Sequence, residues 1–149
     1  MKLAEILGYT VQTSGESEWN LLQHPTSEVD AQEPDGSLGF FSTEGEITKA
    51  VIELKDAKTS LDKKQSGREK GYTPIEQAYL YATKFDRCNW IIVSNFREIR
   101  LYNKNRTQDH SERFDVLELH KEAEFKRFFY IPTVSSLIIP LAYCHINSF

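Results

Sequence analysis

Apolar positions along this chain follow two periods. Residues 47–55, ITKAVIELK, place the β-favouring Ile47, Val51 and Ile52 in one short run and predict a strand. Trp90 to Val93 is continuously apolar, the pattern of a strand buried on both faces. Glu98 to Tyr102 alternates, with Ile99 and Leu101 on one side and Glu98, Arg100 and Tyr102 on an outward face. Between these runs the spacing lengthens. Ile75, Ala78, Tyr79 and Ala82 fall at i, i+3, i+4 and i+7, one apolar stripe of a helix, with Gln77, Tyr81 and Lys84 on a different face and Gln77 read as exposed. Thr73-Pro74-Ile75-Glu76 supplies its start: a capping threonine, a proline at the first helical position and a glutamate where a capping box needs one.

The remaining segments are read in the same way. Leu3, Ile6 and Leu7 predict a short opening helix that stops at Gly8. Residues 9–18 are polar and turn-like, and Trp19–Leu22 fits a strand or a short helix equally well. Residues 28–32 are weakly extended. Pro34-Asp35-Gly36 is a turn into Ser37–Ser42, and Glu44-Gly45 is a hairpin connection. Phe114–Leu119 begins as a strand or leads into a helix. Lys121–Phe129 predicts a helix with Phe125, Phe128 and Phe129 turned inward, and Trp90, Tyr79 and Phe85 are core candidates too. The order helix, strands, helix, strand, strand, helix predicts an α/β domain with a mixed central sheet flanked by helices.

Charge sharpens this picture. Of the 149 residues, 1–56 hold 11 acidic and 3 basic side chains, and 57–149 hold 11 acidic and 15 basic, for a net charge of −4. The overall balance argues against a general nucleic-acid coat. An acidic cluster beside a basic one suits a site that holds cations on one side and a polyanion on the other. The basic excess is densest from Lys55 to Lys70, with six basic residues against three acidic. This stretch predicts an exposed, mobile loop, with Lys58, Lys63 and Lys64 as candidate phosphate contacts.

Two cysteines, Cys88 and Cys144, are too few for a disulfide framework or a zinc cluster, and Cys88 fits packing better than nucleophilic chemistry. A reducing, cytoplasmic setting follows. His24, His110, His120 and His145 lack ligand spacing. The start of the chain shows no signal peptide, and the prolines of the tail exclude a membrane span there.

The chemistry-bearing constellation is Asp35, Glu53 and Lys55. Glu53 and Lys55 stand two apart on a strand and so project from one face. Pairing the two strands of the hairpin brings Asp35 toward Glu53. Two carboxylates then converge beside an ammonium, a donor set suited to Mg²⁺ and to phosphodiester hydrolysis. An E-x-K pair alone equally fits a surface salt bridge on an exposed strand.

The pattern Pro34-Asp35 … Glu53-Leu54-Lys55 resembles the PD-(D/E)XK nuclease superfamily. In order, ELKDAKTSLDKKQ, TPIEQAYLYATKF and WIIVSNFREIRLYN resemble the N-terminal endonuclease domain of bifunctional type IIG restriction–modification enzymes. The resemblance covers roughly residues 28–130, and it implies a restriction-endonuclease-like core, a nuclease-like domain over residues 1–130. It implies Asp35 and Glu53 as metal ligands, Lys55 as catalytic lysine and Gln77 as a residue near the scissile phosphate. Glu5 on the opening helix would be an extra acidic ligand, and Asp30 is the rival to Asp35. The implied cofactor is Mg²⁺, with Mn²⁺ as substitute. The implied partner is double-stranded DNA, cut by a transient homodimer.

The chain also departs from the family pattern. It carries no Asn-Pro-Pro-Tyr motif and no glycine-rich cofactor loop of a methyltransferase. From Phe128 to Phe149 no charged residue occurs, and residues 131–149 no longer resemble the family. That tail fits a truncation scar or an interface segment. The alternatives to an active endonuclease are therefore a non-catalytic DNA-binding remnant, or a subunit that needs a separate methyltransferase or specificity chain.

Overall fold

The computed structural model describes residues 7–12, 16–24, 33–67 and 71–130. Six strands form one sheet in sequence order: β1 (Glu18–Gln23), β2 (Gly36–Ser42), β3 (Glu46–Leu54), β4 (Trp90–Ser94), β5 (Glu98–Asn103) and β6 (Ser111–Asp115). Every neighbouring pair is antiparallel except β3 and β4, which run parallel. A parallel pair needs a crossover, and helix α1 (Pro74–Thr83) lies within it. A 3-10 helix (Val116–His120) and helix α2 (Glu122–Tyr130) follow β6. The α/β class, the mixed sheet and the strands expected at 47–55, 90–93 and 98–102 are all present. Trp19–Leu22, open between strand and helix, is strand. Phe114 lies in β6, which ends at Asp115, and the 3-10 helix takes up Val116–His120.

Alternation sorts the strands into two faces. Val51, Ile91, Val93 and Tyr102 pack with Ile75, Ala78 and Ala82 of α1, and with Leu61 from the loop after β3. Ala50, Leu38 and Leu101 face the other way, onto Leu7, Tyr9, Phe114 and Phe128 of α2. The capping box of α1 forms as expected. Glu76 N–H donates to Thr73 Oγ1 (3.1 Å), and Thr73 N–H donates to Glu76 Oε2 (2.7 Å). Gly8 adopts a left-handed φ of 87°. The opening helix itself, with Glu5, and the weakly extended 28–32, with Asp30, lie outside the described residues. So does the tail.

Four expectations are corrected. The 55–70 segment is a loop, but not a free one over its described part. Leu61 is fully buried against α1, and Asp62 is held by Arg100 of β5 through two hydrogen bonds of 2.6 and 2.8 Å. Arg100 and Tyr102, expected on an outward face, are buried, because that face of β5 lies beneath α1 and this loop. Gln77, expected on an exposed helix face, is buried and bonded to Tyr81, which is buried too. Phe125 is exposed, because α2 needs only Phe128, with partial help from Phe129, to cover its side of the sheet.

Candidate active site

The parallel β3–β4 pair sets the site. Both strands end at the same edge of the sheet, and β2, antiparallel to β3, begins there. Gly36 pairs with Ile52, so the next step of the register sets Asp35 across from Glu53. Asp35 reaches over: Leu54 N–H donates to its Oδ2 at 2.7 Å. The first carboxylate is thus fixed on the residue between Glu53 and Lys55. Glu53 shares the α1 side of the sheet with Val51, and only 3 % of it is exposed. Lys55 Nζ lies 2.6 Å from Glu53 Oε1. The backbone of Lys55 is locked as well, since its N–H donates to Ser94 O of β4 at 2.8 Å.

Gln77 sits in the first turns of α1, over the same face. Its amide is engaged at both ends. Gln65 Nε2 donates to its Oε1 (2.8 Å), and its Nε2 donates to Tyr81 OH (2.6 Å). Gln65, from the charged loop, is a residue that sequence reasoning missed. Its neighbours are charged and solvent-facing, and only the fold reveals what it reaches. Asn95 was missed too. Its Oδ1 accepts from Arg97 N–H and Glu98 N–H, and its Nδ2 donates to Thr59 O at 2.8 Å, tying the β4–β5 turn to the loop after β3. An asparagine directly after a strand is an Asx-turn signal that could have exposed the first half of that role. Ser37, on β2 opposite Val51 of β3, keeps a buried hydroxyl with no protein partner. Lys58, Lys63 and Lys64 are all exposed on the loop.

The donor set suits a hard divalent cation: the register sets Asp35 across from Glu53, two carboxylates with neither thiolate nor imidazole beside them in the register. Among the described residues there is no group of three or more acidic, histidine or cysteine side chains that could hold a metal. Asp35 and Glu53 alone suit Mg²⁺, which is commonly held by one or two carboxylates and keeps several waters. Cys88 takes no part. It is buried at the far end of α1, its thiol donates to Trp90 O (3.3 Å), and burial pushes its pKa up to about 11.

Residues 20–138 match the family model described as the MmeI N-terminal domain. No curated protein and no solved structure gives a significant match. Among the described residues, no helix is long and apolar enough to cross a membrane.

Proposed function

This chain belongs to the MmeI N-terminal domain family, and on that premise we propose that it is a metal-dependent endonuclease domain hydrolysing phosphodiester bonds in double-stranded DNA. MmeI is a type IIG restriction enzyme whose N-terminal domain is a PD-(D/E)XK nuclease, so the setting is restriction–modification. One observation carries the reading. The Asp35 carboxylate is bonded to the backbone between Glu53 and Lys55, whose side chains meet at 2.6 Å. These contacts draw three separated sequence positions to the end of the sheet where the parallel strands stop, which supports reading them as one charged site.

Asp35 and Glu53 would hold Mg²⁺, or Mn²⁺ in its place. When bound, the cation supplies charge neutralisation at the scissile phosphate and acidifies a water. The chain's own groups do the rest. Lys55 orients the attacking water and offsets charge that grows on the phosphate oxygens. Glu53 holds the lysine ammonium in place, and the Ser94 hydrogen bond fixes its backbone. Gln77, braced by Gln65 and Tyr81, positions the phosphate or the water. Lys58, Lys63 and Lys64 supply sequence-independent phosphate contacts, whose binding weakens as salt rises.

The test is nicking of supercoiled plasmid by the purified chain with Mg²⁺ or Mn²⁺, beside EDTA and Lys55→Ala controls. Cleavage lost in both controls supports the reading. Equal cleavage by Lys55→Ala would overturn the assigned mechanism.

A further inference from the structure

Phe96 is the residue whose conformation the fold does not explain. It sits in the β4–β5 turn at φ 62°, and 64 % of it is exposed. Among the described residues only His24 and Phe96 are non-glycines in the left-handed region. A bulky residue is an outlier there, and an exposed ring recovers nothing by packing. The turn is nevertheless built firmly around it. Phe96 N–H donates to Ser94 Oγ (3.2 Å), Asn95 braces the next two amides, and Asn95 Nδ2 binds Thr59 O in the loop that carries Lys58.

The turn's position gives the ring a purpose. Ser94 pairs with Leu54 and accepts from Lys55, so Phe96 stands two residues beyond the strand end that holds the site. Two cations of this region are exposed, Arg97 beside it in the turn and Lys58 on the loop that Asn95 ties to the turn. Both line one groove with Asn95 and Thr59, where the acids Glu98, Asp115, Glu118 and Glu124 also lie. Glu118 is paired with Lys121 and Glu124 with Arg127. Glu98, the acid nearest in sequence, is paired with Arg100 and Arg113. A rigidly presented, exposed aromatic ring with an exposed arginine next to it suits a base step and its adjoining phosphate.

We propose that Phe96 is a base-stacking wedge that inserts against a step of the bound duplex beside the cleavage site. The proposal rests on the nuclease reading for its location, but its test reads binding, not cutting. Phe96→Asn keeps a residue that tolerates the left-handed turn and removes the ring. Phe96→Tyr keeps the ring. Both are made in the full chain carrying Lys55→Ala, and affinity for a labelled mixed-sequence duplex is measured by anisotropy at several salt concentrations. Phe96→Asn is expected to melt at the same temperature or higher and to bind about 5- to 100-fold more weakly. Its salt slope should match the parent's, while Lys58→Ala flattens the slope by about one. Phe96→Tyr should bind like the parent. A duplex with 2-aminopurine in place of adenine should brighten with the parent and stay dim with Phe96→Asn.

Parent-like binding by Phe96→Asn overturns the wedge, and so does binding by no variant. So does a change in oligomeric state with binding intact, which would make Phe96 a protein contact. Plasmid nicking by the chain without Lys55→Ala judges the nuclease reading separately in each case.

Discussion

Glu53 is buried with a lysine against it, so a substitution there acts on stability as well as on the proposed chemistry. Removing one member of a buried pair costs more than neutralising both, because the survivor keeps its desolvated charge. Lys55→Ala is therefore expected to lower stability by roughly 1–3 kcal/mol while the chain still folds. Adding Glu53→Gln to it should restore part of the loss, as urea denaturation at neutral pH will show. A second residue-scale expectation concerns Cys88. With its pKa raised to about 11 by burial, it stays a thiol at neutral pH. In a Cys144→Ser background, a thiol reagent at pH 7 should label Cys88 only after denaturant is added. Glu53 and Lys55 were legible as a same-face pair because strand period alone decides it. The burial of Gln77 was not, since its partner Gln65 lies 12 residues away across a charged segment that carries no periodic signal.

Elements add constraints that single residues do not show. The β2–β3 ladder shifts register between Leu38 and Gly39, and a side chain on Gly39 would meet Ile47 O at 1.9 Å. That neighbour is backbone and cannot step aside. Gly39→Ala is expected to destabilise by more than about 3 kcal/mol, a drop of on the order of 10 °C or more in Tm by calorimetry. The same hairpin delivers Asp35 to β3, so nicking activity should fall with stability as temperature is raised. The hairpin and the capped start of α1 were readable from turn and cap residues. The anchored loop after β3 was not: Leu61 is a lone apolar residue among charges, and nothing local distinguishes a buried leucine from an exposed one. The inward reading of Phe125 failed for the opposite reason. An aromatic-rich helix offers more rings than one sheet face can cover.

At the scale of the molecule, the sheet separates two cores, and an ionic network ties the loop beside the site to β5 and β6. Arg100 binds Asp62 and Glu98, and Glu98 also binds Arg113. The hydrogen bond from Arg100 holds Asp62 below its ordinary 3.8. Burial pushes Glu98 up, but its bonds to Arg100 and Arg113 prevail and hold it below its ordinary 4.5. Depressed carboxylates contribute stability that is complete above the ordinary values and is lost as pH falls through the folded ones. Thermal stability should thus decline as pH drops below about 4, and Asp62→Asn should flatten that decline while lowering Tm at neutral pH. The α/β class followed from the order of periodic segments; the network did not, because its members come from three separate elements. The single parallel junction has a kinetic consequence. β1–β2–β3 and β4–β5–β6 are each meanders of short-range contacts, quick to form, while joining them requires closing the longer crossover through α1. Asp35, Glu53 and Lys55 all belong to the earlier meander, but the amide of Lys55 finds its acceptor only when Ser94 docks. A chain emerging from the ribosome would set its acids and its lysine within the first meander but gain the Lys55 backbone lock and the Gln77 brace only once the crossover closes, so on the nuclease reading the site would be finished last.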